Sequence, residues 1–156
     1  METRFTRVGS PGFSFVMLLL LAPAVTFAGP AEEASAVIDR WVTVFNANDA
    51  DAVVNLYAPD ATLLGTISPI LAEGPGPISA YFSSLRGSGT KVAMGERRTM
   101  ALGDGAVLAT GFYEFTRIVD GKPVPLPARF TLVVAKRGGD WLIVHHHSSQ
   151  RPKPPQ

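Results

Sequence analysis

The second half of the chain changes from helical to extended patterning, and this change limits the possible folds more than any other feature. Four extended segments follow one another, at residues 91–102, 106–119, 124–136 and 141–148. Short connections that are rich in Gly or Asp join them, at residues 103–105, 120–122 and 138–139. Gly and Asp tolerate the positive φ angles that tight hairpin turns require. The pattern therefore predicts an antiparallel meander of four long strands.

Three amphipathic segments precede these strands. The first, at residues 34–46, repeats apolar side chains three and four positions apart, which is the spacing of one helix face. A second, short helix is capped by Asn48-Asp49 and carries Tyr57, and a proline then ends it before an extended piece at 61–67. A third helix follows the Gly/Pro-rich loop 73–77. Helices followed by strands predict an α+β domain whose helices cover one face of a curved sheet.

The first 28 residues have the pattern of a secretory signal peptide. Arg4 and Arg7 precede an apolar run at 13–21, and small side chains lead to a cleavage position after Ala28. A retained membrane anchor is the alternative reading. However, Pro23 follows a run that is shorter than the roughly 20 apolar residues of a spanning helix. We expect a secreted or periplasmic protein with no stable membrane insertion after cleavage.

Composition excludes several classes of function. The 156-residue chain has no Cys, which excludes disulfides, thiolate metal sites and a Cys nucleophile. Its net charge is +1, and removal of residues 1–28 takes away two Arg and one Glu, which leaves zero. A neutral surface gives no electrostatic footprint for nucleic acid, so we expect no nucleic-acid partner. The folded domain is expected at 29–149, followed by a disordered, proline-rich tail at 150–156.

Five segments carry a resemblance to a known family. They include Leu-Tyr-Ala-Pro-Asp-Ala at 56–61 and, as the most specific part, Gly-Asp-Trp-Leu-Ile-Val-His-His-His-Ser-Ser at 139–149; the others are 63–68, 110–116 and 128–131. These segments resemble the nuclear-transport-factor-2-like superfamily. Within it, they are most similar to the association (hub) domain of calcium/calmodulin-dependent protein kinase II and its small bacterial relatives.

The resemblance implies a cone-shaped, curved antiparallel sheet wrapped around three N-terminal helices. It also implies a pocket inside the cone and self-association through the outer sheet face. It does not imply kinase activity, because the chain has no Gly-rich phosphate loop and no His-Arg-Asp sequence. Arg98 stands where many relatives have a histidine, and Leu132 and Ser148 stand where the hub has pocket arginines. The ligand therefore does not follow from the resemblance.

Polar side chains in and near the last strands are the candidate ligand-binding residues. The three histidines of the chain lie at 145–147, and strand alternation places His145 and His147 on the same face. Imidazole titrates near neutral pH, so these two suit a general base or a hydrogen-bonding partner of a ligand. We expect His145, His147, Arg129, Tyr113 and Tyr57 to bind the ligand.

Some of these residues have a second interpretation. Arg129 either binds a ligand carboxylate or pairs with Glu114 of the neighbouring strand. Tyr113 also suits plain core packing beside Phe115. A metal held by the two outer histidines would need Glu114 or another glutamate, Glu96, as a third ligand. We expect no metal and no cofactor.

Three functions fit these observations. The first is a secreted, non-catalytic domain that binds a small apolar or carboxylate-bearing molecule and forms a homodimer or a larger homo-oligomer. The second is an isomerase, dehydratase or cyclase in which His145 or His147 acts as general base and Tyr113 or Arg129 stabilises an oxyanion. The third is an assembly module whose cone is filled by side chains.

Overall fold

A computed structural model of the protein describes residues 29–153. The predicted signal peptide and the last three residues of the predicted tail lie outside the described residues. Three α-helices lie in the described part, α1 (Pro30–Asn46), α2 (Ala50–Val54) and α3 (Pro75–Phe82), and a 3-10 turn (Ser83–Leu85) follows α3. The strands are β1 (Tyr57–Leu64), β2 (Leu71–Glu73), β3 (Lys91–Ala101), β4 (Ala106–Val119), β5 (Lys122–Arg137) and β6 (Asp140–Gln150).

The six strands form one sheet in the order β2-β1-β6-β5-β4-β3. β3 to β6 are antiparallel neighbours joined by the predicted hairpins. The turn residues Asp120, Gly121, Gly138 and Gly139 have positive φ angles, as the turn chemistry requires. β1 runs parallel to β6, so the curved sheet is mixed and not entirely antiparallel. The predicted α+β fold, with a curved sheet and three helices on one face, is confirmed.

α1 packs against the concave side of the sheet. Its buried side chains, Ala34, Ile38, Trp41 and Phe45, repeat at spacings of three and four and lie on one face, which packs across β3 to β6. Burial of each large apolar side chain of this kind contributes about 1.5–3 kcal/mol. Of the predicted capping pair Asn48-Asp49, Asp49 caps α2: its carboxylate accepts a hydrogen bond from the backbone N–H of Ala52 at 2.9 Å.

Several boundaries differ from the prediction. α1 begins at Pro30 instead of residue 34, α3 begins at Pro75 inside the predicted loop 73–77, and β1 covers Tyr57–Leu64 instead of 61–67. α2 ends at Val54, and Tyr57 is the first residue of β1 instead of a helix residue, because the chain there pairs with β6 around Ile143. The edge strand β2 has only three residues, which is too short for a periodic pattern that would have revealed it. β6 extends to Gln150, and the N–H of Arg151 donates to the Pro127 carbonyl, so pairing with β5 continues into the predicted tail. Among residues 29–153, the helices are all too short or too polar to span a bilayer.

Candidate functional site

A cavity of about 390 Å³ opens between the helices and the inner face of the sheet. The buried part of its wall is mainly aromatic and contains Trp41, Phe45, Phe82, Tyr113 and Phe115. Its mouth is lined by exposed side chains, namely Ile67, Ser84, Arg117 and Ile118. The cavity is therefore an apolar chamber that solvent can enter, and the interior of the domain is not filled by side chains.

Alternation along two strands places polar groups at the buried end of this cavity. β4 turns Tyr113 toward the helices, and β6 turns His146 and Ser148 the same way. Trp41 of α1 lies with its indole ring 5.5 Å from the His146 ring, in an edge-to-face arrangement. Tyr57 lies beside the same imidazole, at a ring distance of 6.2 Å. Four elements thus bring their polar side chains to one point.

These side chains form a continuous chain of hydrogen bonds. The indole Nε1–H of Trp41 donates to the hydroxyl oxygen of Tyr57 at 3.1 Å, and that oxygen lies 2.7 Å from Nδ1 of His146. On the other side of the ring, Nε2 of His146 lies 3.3 Å from the hydroxyl oxygen of Tyr113. Tyr113 donates to Oγ of Ser148 at 2.5 Å, and Ser148 is hydrogen-bonded to Thr66. Every polar atom of this chain therefore has a partner.

The donors fix the tautomer of His146. Tyr57 accepts from Trp41, so its own proton points to Nδ1 of His146. Nδ1 is then an acceptor, and the ring proton lies on Nε2, where it is directed at the Tyr113 oxygen. Tyr113 in turn gives its proton to Ser148. The protons thus point the same way from Trp41 as far as Ser148, and the imidazole is neutral.

Burial changes the titration of this cluster. It lowers the pKa of His146 to about 3, and the charges of His145 and His147 lower it further in the same direction. Burial also raises the pKa of Tyr57 well above its usual value, although the hydrogen bond from Trp41 works in the opposite direction. The pKa of Tyr113 is raised by burial as well. At neutral pH the cluster thus carries no charge, and its imidazole is a very weak base.

Tyr81 joins the cluster to the wall near the mouth. Burial raises the pKa of its hydroxyl, and hydrogen bonds with the backbone of Ile67 and with Thr66 lower it in part. Its ring lies against Gly65, where a Cβ would come closer than 3.0 Å to two ring carbons and to the hydroxyl oxygen of Tyr81. Glycine at position 65 therefore gives the Tyr81 ring its place in the cavity wall.

The structure divides the predicted ligand-binding residues between two faces of the sheet. Tyr57 and Tyr113 reach the interior cluster, and Tyr113 also packs beside Phe115 in the core, as its second interpretation predicted. Arg129, His145 and His147 lie on the outer face and do not line the interior cavity. The ligand-binding role of these three residues stays a prediction.

Arg129 and His147 meet in a second, shallower groove on the outer face. The groove has a volume of about 490 Å³ and also includes Arg98 and Glu96. Nε of Arg129 donates to Oγ of Ser149 at 3.0 Å. The ion pair with Glu114 that the sequence suggested is not among those in residues 29–153, because Phe112 and not Glu114 lies directly opposite Arg129.

His145 occupies a third environment. Its Nδ1 lies 2.7 Å from Oγ1 of Thr62 in β1. Partial burial lowers its pKa, and the neighbouring His147 adds to the effect. In the described part of the chain, no three His, Asp or Glu side chains come together as metal ligands.

Sequence reasoning missed Trp41, His146, Ser148 and Thr66 as site residues. For His146 and Ser148 the difficulty lies in an irregularity of β6. Val134 of β5 pairs with Ile143, but the adjacent Val133 pairs with His145, so Val144 is an extra residue in β6. Such a β-bulge reverses the alternation of side chains beyond it. Counting from the buried Ile143 would turn His145 and His147 inward, whereas the bulge turns His146 inward.

Comparison with protein families finds one match. Residues 34–152 match a family model described as a SnoaL-like domain. A comparison with curated proteins finds no match.

Comparison with solved structures supports the same assignment. A Xanthomonas campestris structure described as a calcium/calmodulin dependent protein kinase II association domain is 34% identical, with 81% of this chain and 94% of that chain covered and a TM-score of 0.73. The S. rosetta CaMKII hub is 22% identical, with 81% and 100% covered and a TM-score of 0.69. A ketosteroid isomerase-like protein from Erwinia carotovora atroseptica is 19% identical, with 81% and 100% covered and a TM-score of 0.66.

The last two structures share the fold with this chain. The resemblance to nuclear-transport-factor-2-like proteins, with hub domains among the similar structures, is confirmed. The family model covers most of the chain and all of the elements that form the cavity except the first residues of α1. The chain therefore belongs to the SnoaL-like domain family and has the nuclear-transport-factor-2-like fold.

Proposed function

We propose that this chain is an exported, self-associating domain that binds a small, largely apolar molecule in its interior cavity and has no kinase activity. The observation that carries the proposal is the open chamber of about 390 Å³, with aromatic walls and a neutral, hydrogen-bonded inner end. Pockets of this size and composition, with few polar groups, are typical of small-molecule sites.

The inner end of the cavity suits recognition of an uncharged group. The hydroxyls of Tyr113, Ser148 and Thr66 lie along one side of the chamber. Each of these hydroxyls can replace one of its hydrogen bonds to a neighbouring side chain by a hydrogen bond to a ligand oxygen, because a hydroxyl both donates and accepts. A ligand with a ring-sized apolar body and one carbonyl or hydroxyl oxygen matches this arrangement.

An enzyme that uses a histidine base is the alternative, and the site geometry makes it the weaker one. His146 is the histidine that lines the cavity; its Nδ1 already accepts the Tyr57 proton and its pKa is near 3. A general base needs a pKa near the working pH. Among the described residues that line the cavity there is no Asp or Glu to take over this role. The third function, an assembly module with a filled cone, does not match the open chamber.

Self-association is supported by the fold and by the outer sheet face. The similar structures include one described as a CaMKII hub. The outer face of β4 exposes Phe112, and Arg151 lies over its ring at 4.2 Å. We expect a homodimer or a larger homo-oligomer from light scattering coupled to size-exclusion chromatography. A mass of one chain per particle at micromolar concentration would contradict this part of the proposal.

Export is tested separately. Expression of the full-length chain in a bacterium with a secretory pathway should yield a protein that begins at Gly29, because cleavage is expected after Ala28. The intact mass of the periplasmic and medium fractions checks this. An unprocessed chain in the cytoplasm would contradict export.

Photolabelling with benzophenone tests ligand binding. Benzophenone has two apolar rings and one carbonyl oxygen, and near-ultraviolet light makes the carbonyl carbon bond to a nearby C–H group. We expect saturable labelling of cavity peptides that contain Ile67, Leu85 or Ile118. Labels that are spread over the surface and do not saturate would contradict the proposal.

Two substitutions on the same turn provide the matched comparison. Ser84 is exposed and lines the mouth, whereas the adjacent Ser83 is exposed and does not line it. Ser84→Trp should obstruct the mouth and reduce labelling about tenfold, whereas Ser83→Trp should leave labelling within about twofold of the unchanged protein. Equal labelling of the two variants would show that the label does not enter through this mouth.

A further inference from the structure

Arg117 continues the inner face of β4 beyond the aromatic wall. Tyr113, Phe115 and Arg117 are two residues apart, so their side chains lie on the same face of the strand. The first two are buried, and Arg117 is exposed where the strand passes beyond the helices. All three line the cavity. The strand thus places one guanidinium at the mouth of an apolar chamber.

This guanidinium is the one charged group in the described cavity lining. The ion pairs found among residues 29–153 join other arginines and a lysine to carboxylates and do not include Arg117. Its fork of N–H groups is available to a ligand. A guanidinium binds a planar carboxylate through two parallel hydrogen bonds.

The rest of the mouth determines how an acid would lie in the cavity. Ile67 and Ile118 are 60% and 48% exposed and form an apolar rim beside Arg117. A carboxylate that entered the chamber first would lose its hydration near a neutral His146, which offers no positive charge in return. A carboxylate that remained at the mouth would keep its hydration and would also form an ion pair with the guanidinium of Arg117. The apolar body would then fill the aromatic chamber.

On the basis of the proposed function, we propose that the cavity selects ring-containing monocarboxylic acids and binds them with the carboxylate outward on Arg117. The ring system lies against Trp41 and Phe115, and the inner oxygen, where the ligand has one, meets the hydroxyls of Tyr113 and Ser148. Affinity then has two separable parts, an apolar part inside and a charge-dependent part at the mouth.

Two probes separate these parts. Benzophenone supplies the body alone, and 4-benzoylbenzoate supplies the same body with one carboxylate. Isothermal titration of the unchanged protein at low ionic strength should show that 4-benzoylbenzoate binds about five- to tenfold more tightly than benzophenone. Arg117→Gln should remove this difference and leave benzophenone binding unchanged. Arg98→Gln on the outer face, with the same change of charge, should preserve it.

Each result decides between the two proposals. If benzophenone binds and 4-benzoylbenzoate has no advantage, or if Arg117→Gln preserves the advantage, the carboxylate inference is overturned and the proposed function stands. If Arg98→Gln lowers the advantage as much as Arg117→Gln does, the effect is one of general charge and the inference is also overturned. If neither probe binds the unchanged protein, both the inference and the proposed function are contradicted.

Discussion

The hydroxyl oxygen of Tyr57 lies 2.7 Å from Nδ1 of His146, and both side chains are buried. This hydrogen bond joins the neighbouring strands β1 and β6, whose residues here are 89 positions apart in the sequence. It also occupies the in-plane lone pair of Nδ1, while burial lowers the pKa of the imidazole to about 3. The bond therefore has two effects: it holds β1 and β6 in register, and it makes the inner end of the cavity a neutral recognition surface.

Removal of the Tyr57 hydroxyl should destabilise the domain. Tyr57→Phe leaves the N–H of Trp41 and Nδ1 of His146 without their partner in a buried site. The expected loss in the free energy of unfolding is about 1–3 kcal/mol, measured by urea denaturation. Tyr81→Phe is the matched control, because its hydroxyl is only partly buried, and it should cost less than half as much. Equal losses in the two variants would show that the Tyr57–His146 hydrogen bond contributes no more to the free energy of unfolding than the hydrogen bonds of Tyr81.

Acid should weaken the fold through His146. The pKa of this imidazole is about 3 in the folded protein and near 6.5 in the unfolded chain. Between these values the unfolded chain binds more protons, so the free energy of unfolding falls as the pH is lowered, by up to about 1.4 kcal/mol per pH unit. Above about pH 6.5 this contribution is fully present. Urea denaturation at several values from about pH 7 to about pH 4.5 measures the slope.

Two histidine variants identify the group that is responsible. His146→Leu should be less stable at neutral pH and should have a much weaker acid slope. Burial also lowers the pKa of His145, so this residue adds to the slope in the same direction. His145→Gln should therefore keep most of the slope, because His145 is less buried. A slope that survives in His146→Leu would assign the acid sensitivity to other groups.

A methyl group at position 65 should disturb the wall of the cavity. The Cβ of Gly65→Ala would come closer than 3.0 Å to the Tyr81 ring, which forces the ring to move. Overpacking of this kind costs about 1–3 kcal/mol in the free energy of unfolding. Gly76→Ala is the control, because a Cβ there has no neighbour within 4 Å, and it should be close to neutral. Both are measured by thermal and urea unfolding.

A double-mutant cycle tests the cause. Tyr81→Ala removes the ring, so the cost of Gly65→Ala should fall to less than half in that background. An unchanged cost would mean that the strain lies in the backbone and not in the contact with Tyr81.

Replacement of Arg129 should have little effect on folding. Its side chain is exposed and donates to Ser149, and it has no carboxylate partner among the ion pairs of residues 29–153. Arg129→Ala should therefore lower the free energy of unfolding by less than about 1 kcal/mol. Thermal unfolding measures this. A loss of several kcal/mol would indicate a buried ion pair that the structure does not contain.

The strands were predictable because their turns are chemically distinctive. The Gly/Asp connections at 103–105, 120–122 and 138–139 place the ends of β3 to β6 within two residues of those observed. The edge strand β2 was not predictable, because a strand of three residues is too short to give a periodic signal. Tertiary contacts hold it in place, through pairing with β1 and packing against α3.

The site was predicted only in part, for two physical reasons. Tyr57 lies four residues after Val53, so its spacing also fits a helix face, and only pairing with β6 decides that it begins a strand. Alternation separated His146 from its two neighbours correctly, but the bulge at Val144 decides which face points inward. Bulges arise from the match between neighbouring strands, which no single segment records.

The parallel pairing of β1 with β6 has a consequence for synthesis of the protein. β1 leaves the ribosome well before β6, its parallel neighbour in the sheet, because β2 to β5 lie between them in the sequence. Until β6 emerges, the Trp41–Tyr57 pair lacks its hydrogen-bond partner His146. The apolar residues that form the concave face of the sheet stay exposed to water. The nascent chain must therefore be kept from premature association until β6 has been made. Export before folding would meet that need, because an unfolded chain passes through a secretory channel.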